Sequence, residues 1–305
     1  MKNHQLLFFF IINFVLITGC TKKLEYDFKP QAPKLVISSI LVPDSLIKVY
    51  VSSTQSILSN KNTTINNALV LLYEGNKVAD TLVSKGNGLY TYANKHLALE
   101  GELYKIIAYA NGFDSIFSEV TIPNTVMINS AHAICPYGYT QNNEPYTLFE
   151  LTINDVPNEE NFYELVLYLK QPRLPYQFAT MADFKTNDNI LINEGDIDYI
   201  NYSSSLLISD KLFNGKTVTI TCQFSNYNTQ IGADKYFALR YVSQSYYKYK
   251  KYLLRHQYNQ NTSSTLDDPL QLLFSGEPSN MYSNVKNGYG VFVGYNSTIE
   301  KVPFN

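Results

Sequence analysis

The sequence is poor in the residues that mark metal sites. Its 305 residues include three cysteines, four histidines and no tryptophan. Transition-metal sites gather several His, Cys, Asp or Glu ligands in one place, and the histidines here are scattered. His132 and Cys135 are three residues apart, but no second ligand pair stands near them. The sequence therefore predicts no metal site and no cofactor.

Motifs for catalysis are also missing. The chain has no Gly-x-Ser-x-Gly elbow, phosphate-binding loop or His-Glu-x-x-His segment. An acidic run offers oxygen ligands for calcium, but it lacks the spacing and the glycine of an EF-hand loop. Its members are Asp183, Asp188, Glu194, Asp196 and Asp198. We therefore expect a protein that is not an enzyme. The paired carboxylates of a glycoside hydrolase would not be recognisable from the sequence, because their separation is set by the fold.

Charge is scarce and nearly balanced. Charged residues make up 16% of the chain, and 24 Lys and Arg against 26 Asp and Glu give a net charge of -2. Such a chain exerts no long-range attraction on nucleic acid or on an anionic membrane surface. Hydrophobic residues reach 45%, with 26 tyrosines and 17 phenylalanines, which favours a globular protein built from strands.

The amino terminus has the pattern of a bacterial lipoprotein signal. Lys2 precedes an apolar run from Leu6 to Ile17, and Thr18-Gly19-Cys20 follows as a small-residue cleavage site. The run is too short to span a bilayer comfortably. We therefore predict that residues 1–19 are a signal peptide and that Cys20 is the lipid attachment residue. An ordinary secretory signal with an incidental cysteine is the alternative.

A lipid on Cys20 would anchor the protein to a membrane. Thr21, rather than Asp, follows the cysteine, and by analogy with bacterial sorting rules this favours the outer membrane. Residues 20–33 contain Pro30 and Pro33 and show no apolar periodicity, which predicts a tether. The sequence does not indicate whether the protein faces the periplasm or the cell surface.

Residues 34–124 have the pattern of an immunoglobulin-like β-sandwich. Seven short β-rich runs are separated by turn residues. The runs are Leu35 to Leu41, Ile47 to Ser52, Ala68 to Glu74, Lys77 to Val83, Leu89 to Tyr92, Leu103 to Tyr109 and Ile116 to Ile122. Gly75-Asn76 predicts a two-residue hairpin between the third and fourth runs.

Residues 125–305 predict a second β-rich domain with long loops. A looser stretch from Asn129 to Pro145 precedes its strands, and Gln171 to Ser205 is rich in turn residues. The predicted strands are Tyr146 to Val156, Phe162 to Lys170, Leu206 to Ile208, Lys216 to Phe224, Tyr236 to Val242 and Gly290 to Tyr295. Asn287-Gly288 predicts a hairpin that closes the domain.

One segment of the second domain has helical spacing. Val242, Tyr246, Tyr249 and Leu253 recur every three to four residues, which predicts a helix over residues 242–258 with this stripe against a sheet. The same segment carries a basic cluster, which we interpret as a solvated helix face. The cluster consists of Lys248, Lys250, Lys251, Arg255 and His256.

Two cysteines remain once Cys20 is lipidated. Outside the cytoplasm Cys135 and Cys222 could form a disulfide. Buried, unpaired thiols on separate strands are the alternative.

Several short stretches, spread over nearly the whole mature chain, match one family pattern. They are the lipobox at Cys20, Asn67 to Leu71, Gly88 to Tyr90, Glu102 to Tyr104, Tyr236 to Leu239, Tyr246 to Tyr249, Asp268 to Leu270 and Tyr282 to Phe292. Together they resemble a family of Bacteroidota lipoproteins, the domain of unknown function 4249 family. The resemblance implies a two-part β-rich protein whose first part is like a carboxypeptidase-regulatory or prealbumin-type sandwich. It also implies an outer-membrane location in company with TonB-dependent transporters, and it carries over no catalytic residue.

Three hypotheses about function follow. The leading one is a lipid-anchored outer-membrane binding module, an accessory of a TonB-dependent transporter in nutrient uptake. The second is a surface module that binds glycans or mediates adhesion, and the third is an uncharacterised hydrolase. The ligand and the oligomeric state have no signal in the sequence.

Overall fold

A computed structural model describes most of the chain beyond residue 30. The described residues are 31–56, 59–93, 97–170, 178–180, 184–186, 188, 205–225, 235–260 and 280–303. The predicted signal peptide and Cys20 lie outside them, as does most of the acidic run. Residues 33–305 form one compact unit. No helix in the described ranges is long and apolar enough to cross a membrane.

The first part of the chain contains seven strands. They are β1 (Leu35–Leu41), β2 (Lys48–Ser53), β3 (Leu69–Glu74), β4 (Lys77–Gly86), β5 (Leu89–Thr91), β6 (Leu103–Tyr109) and β7 (Ile116–Thr121). Each corresponds to one of the seven predicted runs. Glu74 pairs with Lys77, and Gly75 has a φ of 54°. The predicted hairpin at Gly75-Asn76 is therefore confirmed.

Nine strands, one α-helix and a 3-10 turn follow in the described residues. They are β8 (Ile128–Tyr139), β9 (Pro145–Asn154), β10 (Phe162–Lys170), β11 (Phe178–Thr180), β12 (Phe184–Lys185), β13 (Ser205–Ser209), the 3-10 turn Asp210–Leu212, β14 (Thr217–Ser225), β15 (Lys235–Val242), α1 (Gln244–Gln260) and β16 (Tyr289–Lys301). The predicted all-β class with one helix is confirmed.

Strand β16 joins the two parts of the chain. It pairs with β1 in parallel and with β15 in antiparallel orientation, within a 12-stranded sheet ordered β11-β10-β15-β16-β1-β2-β5-β4-β3-β6-β7, with β13 also on β10. The second sheet has the order β12-β14-β9-β8. The predicted hairpin at Asn287-Gly288 is wrong. Lys286, the residue before it, forms an isolated bridge with Phe117 of β7 and is not part of a strand that pairs with β16.

Three clusters of buried side chains form the interior. One is built from residues 35–122 with Val285 and Phe292, and a second from residues 126–302 between the two sheets. A third lies under α1, where Tyr246 and Tyr247 pack on Phe162, Val242 and their neighbours. The predicted helical stripe does face a sheet, although Leu254 takes the place expected for Leu253. The first two cores separate near residue 124, while β16 continues one sheet across both parts.

Candidate functional site

A cleft with a volume of ≈ 520 Å³ lies where the two parts of the chain meet. One wall comes from the segment that follows β7. The other comes from the β9–β10 connection, the end of β15 and the first turn of α1. The lining residues are Gly101, Val120–Thr125, Val156, Glu159, Glu160, Phe162 and Tyr241–Ser245. Ligand sites are often found at such junctions between two packed units.

The cleft combines an apolar base with an acidic rim. Val120, Ile122, Phe162 and Val242 are buried at its base, and the half-buried Pro123 and the exposed Val156 present apolar surface. The exposed carboxylates belong to Glu159 and Glu160. Among the described lining residues there is no Lys, Arg or His.

Each rim carboxylate accepts a hydrogen bond from a neighbour in the cleft. The Tyr241 hydroxyl lies 3.4 Å from Oε1 of Glu159 and also donates to Oδ1 of Asn161. Burial, and then the negative charge of Glu159, raise the pKa of Tyr241 well above its ordinary value, so this hydroxyl stays a donor. Gln244 Nε2 donates to Oε2 of Glu160 at 3.0 Å. These bonds orient the two carboxylates.

The acidic wall rests on a buried polar network. The Asn161 side-chain amide donates to the carbonyl oxygen of Val156 at 2.7 Å, to that of Glu159 at 3.1 Å and to Oδ2 of Asp210 at 3.2 Å. Because Asn161 is fully buried, these bonds fix the β9–β10 turn in one conformation. Asn214 extends the network, donating to the same Asp210 oxygen at 3.1 Å.

The carboxylate of Asp155 also anchors the β9–β10 turn. Asp155 accepts the Tyr163 hydroxyl at 2.5 Å and the backbone amide of Gly215 at 2.7 Å. Burial, followed by the bond to Asp155, raises the pKa of Tyr163 far above its ordinary value. Tyr163 therefore remains protonated and holds the base of the turn to β10.

The opposite wall is tied to β16. Glu100 Oε2 accepts the hydroxyl of Thr125 at 2.7 Å and the side-chain amide of Asn296 at 2.7 Å. These hydrogen bonds, from Thr125 first and then Asn296, lower the pKa of Glu100. The segment after β7 is thus attached to the strand shared by both parts, and both walls of the cleft are fixed.

Behind the acidic wall, a buried ion-pair cluster attaches α1 to the sheet. Glu164 of β10 is completely buried, and its Oε2 lies 2.6 Å from Nη1 of Arg240 on β15. The Tyr246 hydroxyl donates to the same oxygen at 2.8 Å, and Nζ of Lys250 lies 3.2 Å from Oε1. The Arg240 guanidinium also stacks on the ring of Tyr295 and donates to the Tyr168 hydroxyl. This charge cluster therefore holds Tyr246 in the first turn of α1, directly after the cleft residues Gln244 and Ser245.

The predicted basic cluster does not form one surface patch. Lys250 turns inward to Glu164, and Lys248 donates to Oε1 of Gln244 at 3.3 Å. Lys251 lies over the ring of Tyr247 at 5.8 Å. The interpretation of this cluster as a solvated helix face is wrong for Lys250, because its ammonium group pairs with the buried carboxylate of Glu164 on the sheet.

Cys135 and Cys222 form no disulfide in the structure. Cys222 of β14 pairs with Phe149 of β9, and Phe149 pairs on its other side with Ala133 of β8. Because β9 separates the two strands, the cysteine Cα atoms are about 10 Å apart or more, beyond the reach of a disulfide. Cys222 lies in the core, as the alternative prediction has it.

Metal ligands do not converge in the described residues, which contain no group of three His, Cys, Asp or Glu placed for an ion. Asp188 is the described member of the acidic run, and its Oδ2 accepts the backbone amide of Thr221 at 3.0 Å. Its carboxylate therefore serves to hold β14 in place. Cys20 lies outside the described residues.

The residues of the cleft were not singled out from the sequence. Glu159 and Glu160 lie between the predicted strands Tyr146 to Val156 and Phe162 to Lys170, and only the tertiary fold brings residues 120–125 opposite them. Glu164 and Arg240 had a signal, since each is a charged residue in the middle of an apolar strand run. Charges in such positions are rarely buried without partners, so their pairing could have been inferred.

Comparison with known proteins identifies the family. No curated protein is similar to the chain. The family model described as a domain of unknown function, DUF4249, matches residues 21–301. Since the match covers nearly all of the 305 residues, the protein belongs to the DUF4249 family, as the sequence resemblance implies.

Proposed function

We propose that the protein is a non-catalytic, lipid-anchored binding module of the outer membrane that acts as an accessory to a TonB-dependent transporter. In this proposal the cleft between the two parts is the contact site for the partner. The observation that carries it is the cleft itself, whose two walls are held by hydrogen-bond networks, one buried around Asn161 and the other partly exposed at Glu100 and Asn296. A preorganised site loses little conformational entropy when a partner binds.

The proposal also depends on the lipid anchor and the tether, which would keep the folded unit near the membrane. Acylation of Cys20 would hold the amino terminus at the membrane. Strand β1 begins at Leu35, so 14 residues, 21 to 34, connect the cysteine to the folded unit. Fully extended, such a segment spans at most about 50 Å. The cleft could therefore meet a membrane-embedded partner while the lipid keeps the module close to it.

The anchor is tested with cysteine variants. Cells are labelled with a fatty-acid probe, and the tagged wild type is compared with Cys20→Ala and, as a matched control, Cys135→Ser. We expect the wild type and Cys135→Ser to carry the probe and to sediment with outer membranes. Cys20→Ala should carry none and remain soluble. An unlabelled wild type would remove the anchor from the proposal.

The partner is tested by co-purification from solubilised outer membranes after chemical crosslinking. We expect mass spectrometry to recover a TonB-dependent transporter with the wild type. Asn124→Trp fills the cleft with a bulky ring and should abolish the recovery, whereas Asn60→Trp, at an exposed position away from the cleft, should not. No transporter with the wild type, or specific retention on an oligosaccharide array that Asn124→Trp abolishes, would contradict the proposal.

A further inference from the structure

We infer that the cleft receives the basic side chain, Lys or Arg, of an extended segment of the partner protein. This inference rests on the proposed function and specifies the chemistry of recognition at that site. Its basis is the combination of two charged carboxylates, an apolar base and the absence of a basic side chain among the described residues that line the cleft.

The first step of the argument is the balance of charge. Glu159 and Glu160 are adjacent and exposed, and no described Lys or Arg approaches either carboxylate within ion-pair distance; the nearby ion pairs of Arg240 and Lys250 go to Glu164. The amino-terminal end of α1 adds about half a positive charge, so the two carboxylates outweigh it. The cleft therefore has a net negative potential that favours a cation.

The second step is the shape of the surface below the carboxylates. The accessible apolar surface of the cleft comes from the exposed Val156 and the half-buried Pro123, backed by the buried Val120, Ile122 and Phe162, while the charged groups stand at the rim. Lys and Arg side chains bury an aliphatic stem against apolar surface and keep their charged end in a polar environment. A small inorganic cation would use the carboxylates and leave the apolar base in contact with water.

The third step concerns the source of the cation. A free diamine offers the same ammonium chemistry, but it has no backbone to contact the uncharged polar groups of the cleft. Asn124, Gln244 and Ser245 line the cleft and can exchange hydrogen bonds with a peptide backbone. An extended peptide segment therefore contacts the apolar base, the two rim carboxylates and these uncharged polar side chains at the same time.

The test uses the full chain, extracted from membranes in detergent, and three probes. These are N-acetyl-Ala-Arg-Ala amide, the same peptide with citrulline in place of arginine, and putrescine. We expect calorimetry to give a Kd of about 1 mM for the arginine peptide and clearly weaker binding of both other probes. Binding of the arginine peptide should weaken as NaCl is raised, because the rim carboxylates are exposed.

The matched variants are the double substitution Glu159→Gln and Glu160→Gln, and Glu300→Gln as a control on an exposed part of β16. The double variant should bind the arginine peptide about tenfold more weakly, with an unchanged melting temperature, whereas Glu300→Gln should bind like the wild type. Equal binding of the arginine and citrulline peptides, tighter binding of putrescine, or an unaffected double variant overturns the inference.

The co-purification experiment distinguishes failure of this inference from failure of the proposed function. If the double variant recovers the transporter as well as the wild type does, while Asn124→Trp does not, the carboxylates are not the recognition element and the proposed function stands. If the wild type recovers no transporter, the proposed function fails whatever the peptide titrations give.

Discussion

Glu164 and Arg240 are direct cross-strand partners, and 2.6 Å separates Oε2 of the first from Nη1 of the second. Lys250 reaches the other carboxylate oxygen from α1, at 3.2 Å. One buried carboxylate therefore links two neighbouring strands and the helix that covers them. The first turn of that helix lines the cleft, so the cluster supports the site from behind.

We predict that Glu164→Ala strongly destabilises the protein. The substitution leaves the charges of Arg240 and Lys250 without their buried partner, and removing one member of a buried ion pair costs about 3–5 kcal/mol of unfolding free energy. Urea unfolding followed by circular dichroism measures the loss. Glu300→Ala, at an exposed position of β16, should change the unfolding free energy by no more than about 0.5 kcal/mol. Similar effects of the two substitutions would show that the cluster contributes little.

The same carboxylate predicts a pH dependence of stability. Burial alone raises the pKa of Glu164, but the charges of Lys250 and Arg240 and the hydrogen bonds from Arg240 and Tyr246 outweigh it, so the pKa lies below its ordinary value of 4.5. A carboxyl whose pKa is lower in the folded state than in the unfolded state stabilises the fold above the unfolded-state value. That contribution is lost as the pH falls through the folded-state pKa.

We therefore expect the stability difference between the wild type and Glu164→Gln to be largest near neutral pH and to narrow below the unfolded-state pKa of 4.5. Unfolding free energies measured from about pH 7 to pH 3 test this, with Glu300→Gln as the control whose difference stays small throughout. A Glu164→Gln difference that is constant over this range would mean that the charge of Glu164 does not stabilise the fold.

Local patterns in the sequence were sufficient for most strands and not for β8. Most runs of the first part alternate between buried and more exposed residues, as β1 does from Leu35 to Leu41, although β4 buries only Leu82. Along β8 only Ala133 is buried, and the pairing with β9 shifts register after Ile128 and after Ile134. Bulges interrupt the period of two on which a sequence prediction depends. Most of this edge strand therefore falls in the looser stretch from Asn129 to Pro145, for which the sequence predicts no strand.

The candidate site depends on pairing that has no local signal. Val36 of β1 lies beside Tyr289 of β16, and this parallel pairing carries one sheet across both parts of the chain. The cleft exists because that sheet places residues 120–125 opposite Glu159 and Glu160. Parallel pairing between distant strands leaves no turn signature in the sequence, so the two walls could not be brought together from the residues alone.

Gly290 provides a test of the β1–β16 pairing. Its φ is 112°, and a Cβ atom at this position would overlap the carbonyl oxygen of Ile37, its pairing partner on β1. We predict that Gly290→Ala lowers the unfolding free energy by about 3 kcal/mol or more, because both the backbone conformation and the close approach of the strands require glycine. Thermal unfolding measures the effect.

Gly112 is the matched control for this substitution. Its φ of 84° also disfavours other residues, but no atom lies within 4 Å of a Cβ built there. Gly112→Ala should therefore show only the backbone strain, about 1–2 kcal/mol. Equal effects of the two alanine substitutions would mean that β1 and β16 do not approach as closely as described.

The two thiols should differ sharply in reactivity. Cys222 is 1% exposed in the core, and burial, with a smaller effect of Asp188, raises its pKa well above the ordinary value. Cys135 is half-buried on β8. Because the thiolate is the reactive form, a maleimide should modify Cys135 in the native protein and Cys222 only after unfolding.

Peptide mass spectrometry under non-reducing conditions measures both sites in one experiment. Native protein should yield labelled Cys135, unlabelled Cys222 and no peptide that joins them, and urea should make Cys222 reactive. Cys135→Ser should remove the native labelling while leaving the labelling of unfolded Cys222 unchanged. A joined peptide would contradict the arrangement in which β9 separates β8 from β14, since two thiols about 10 Å apart cannot bond without displacing a strand.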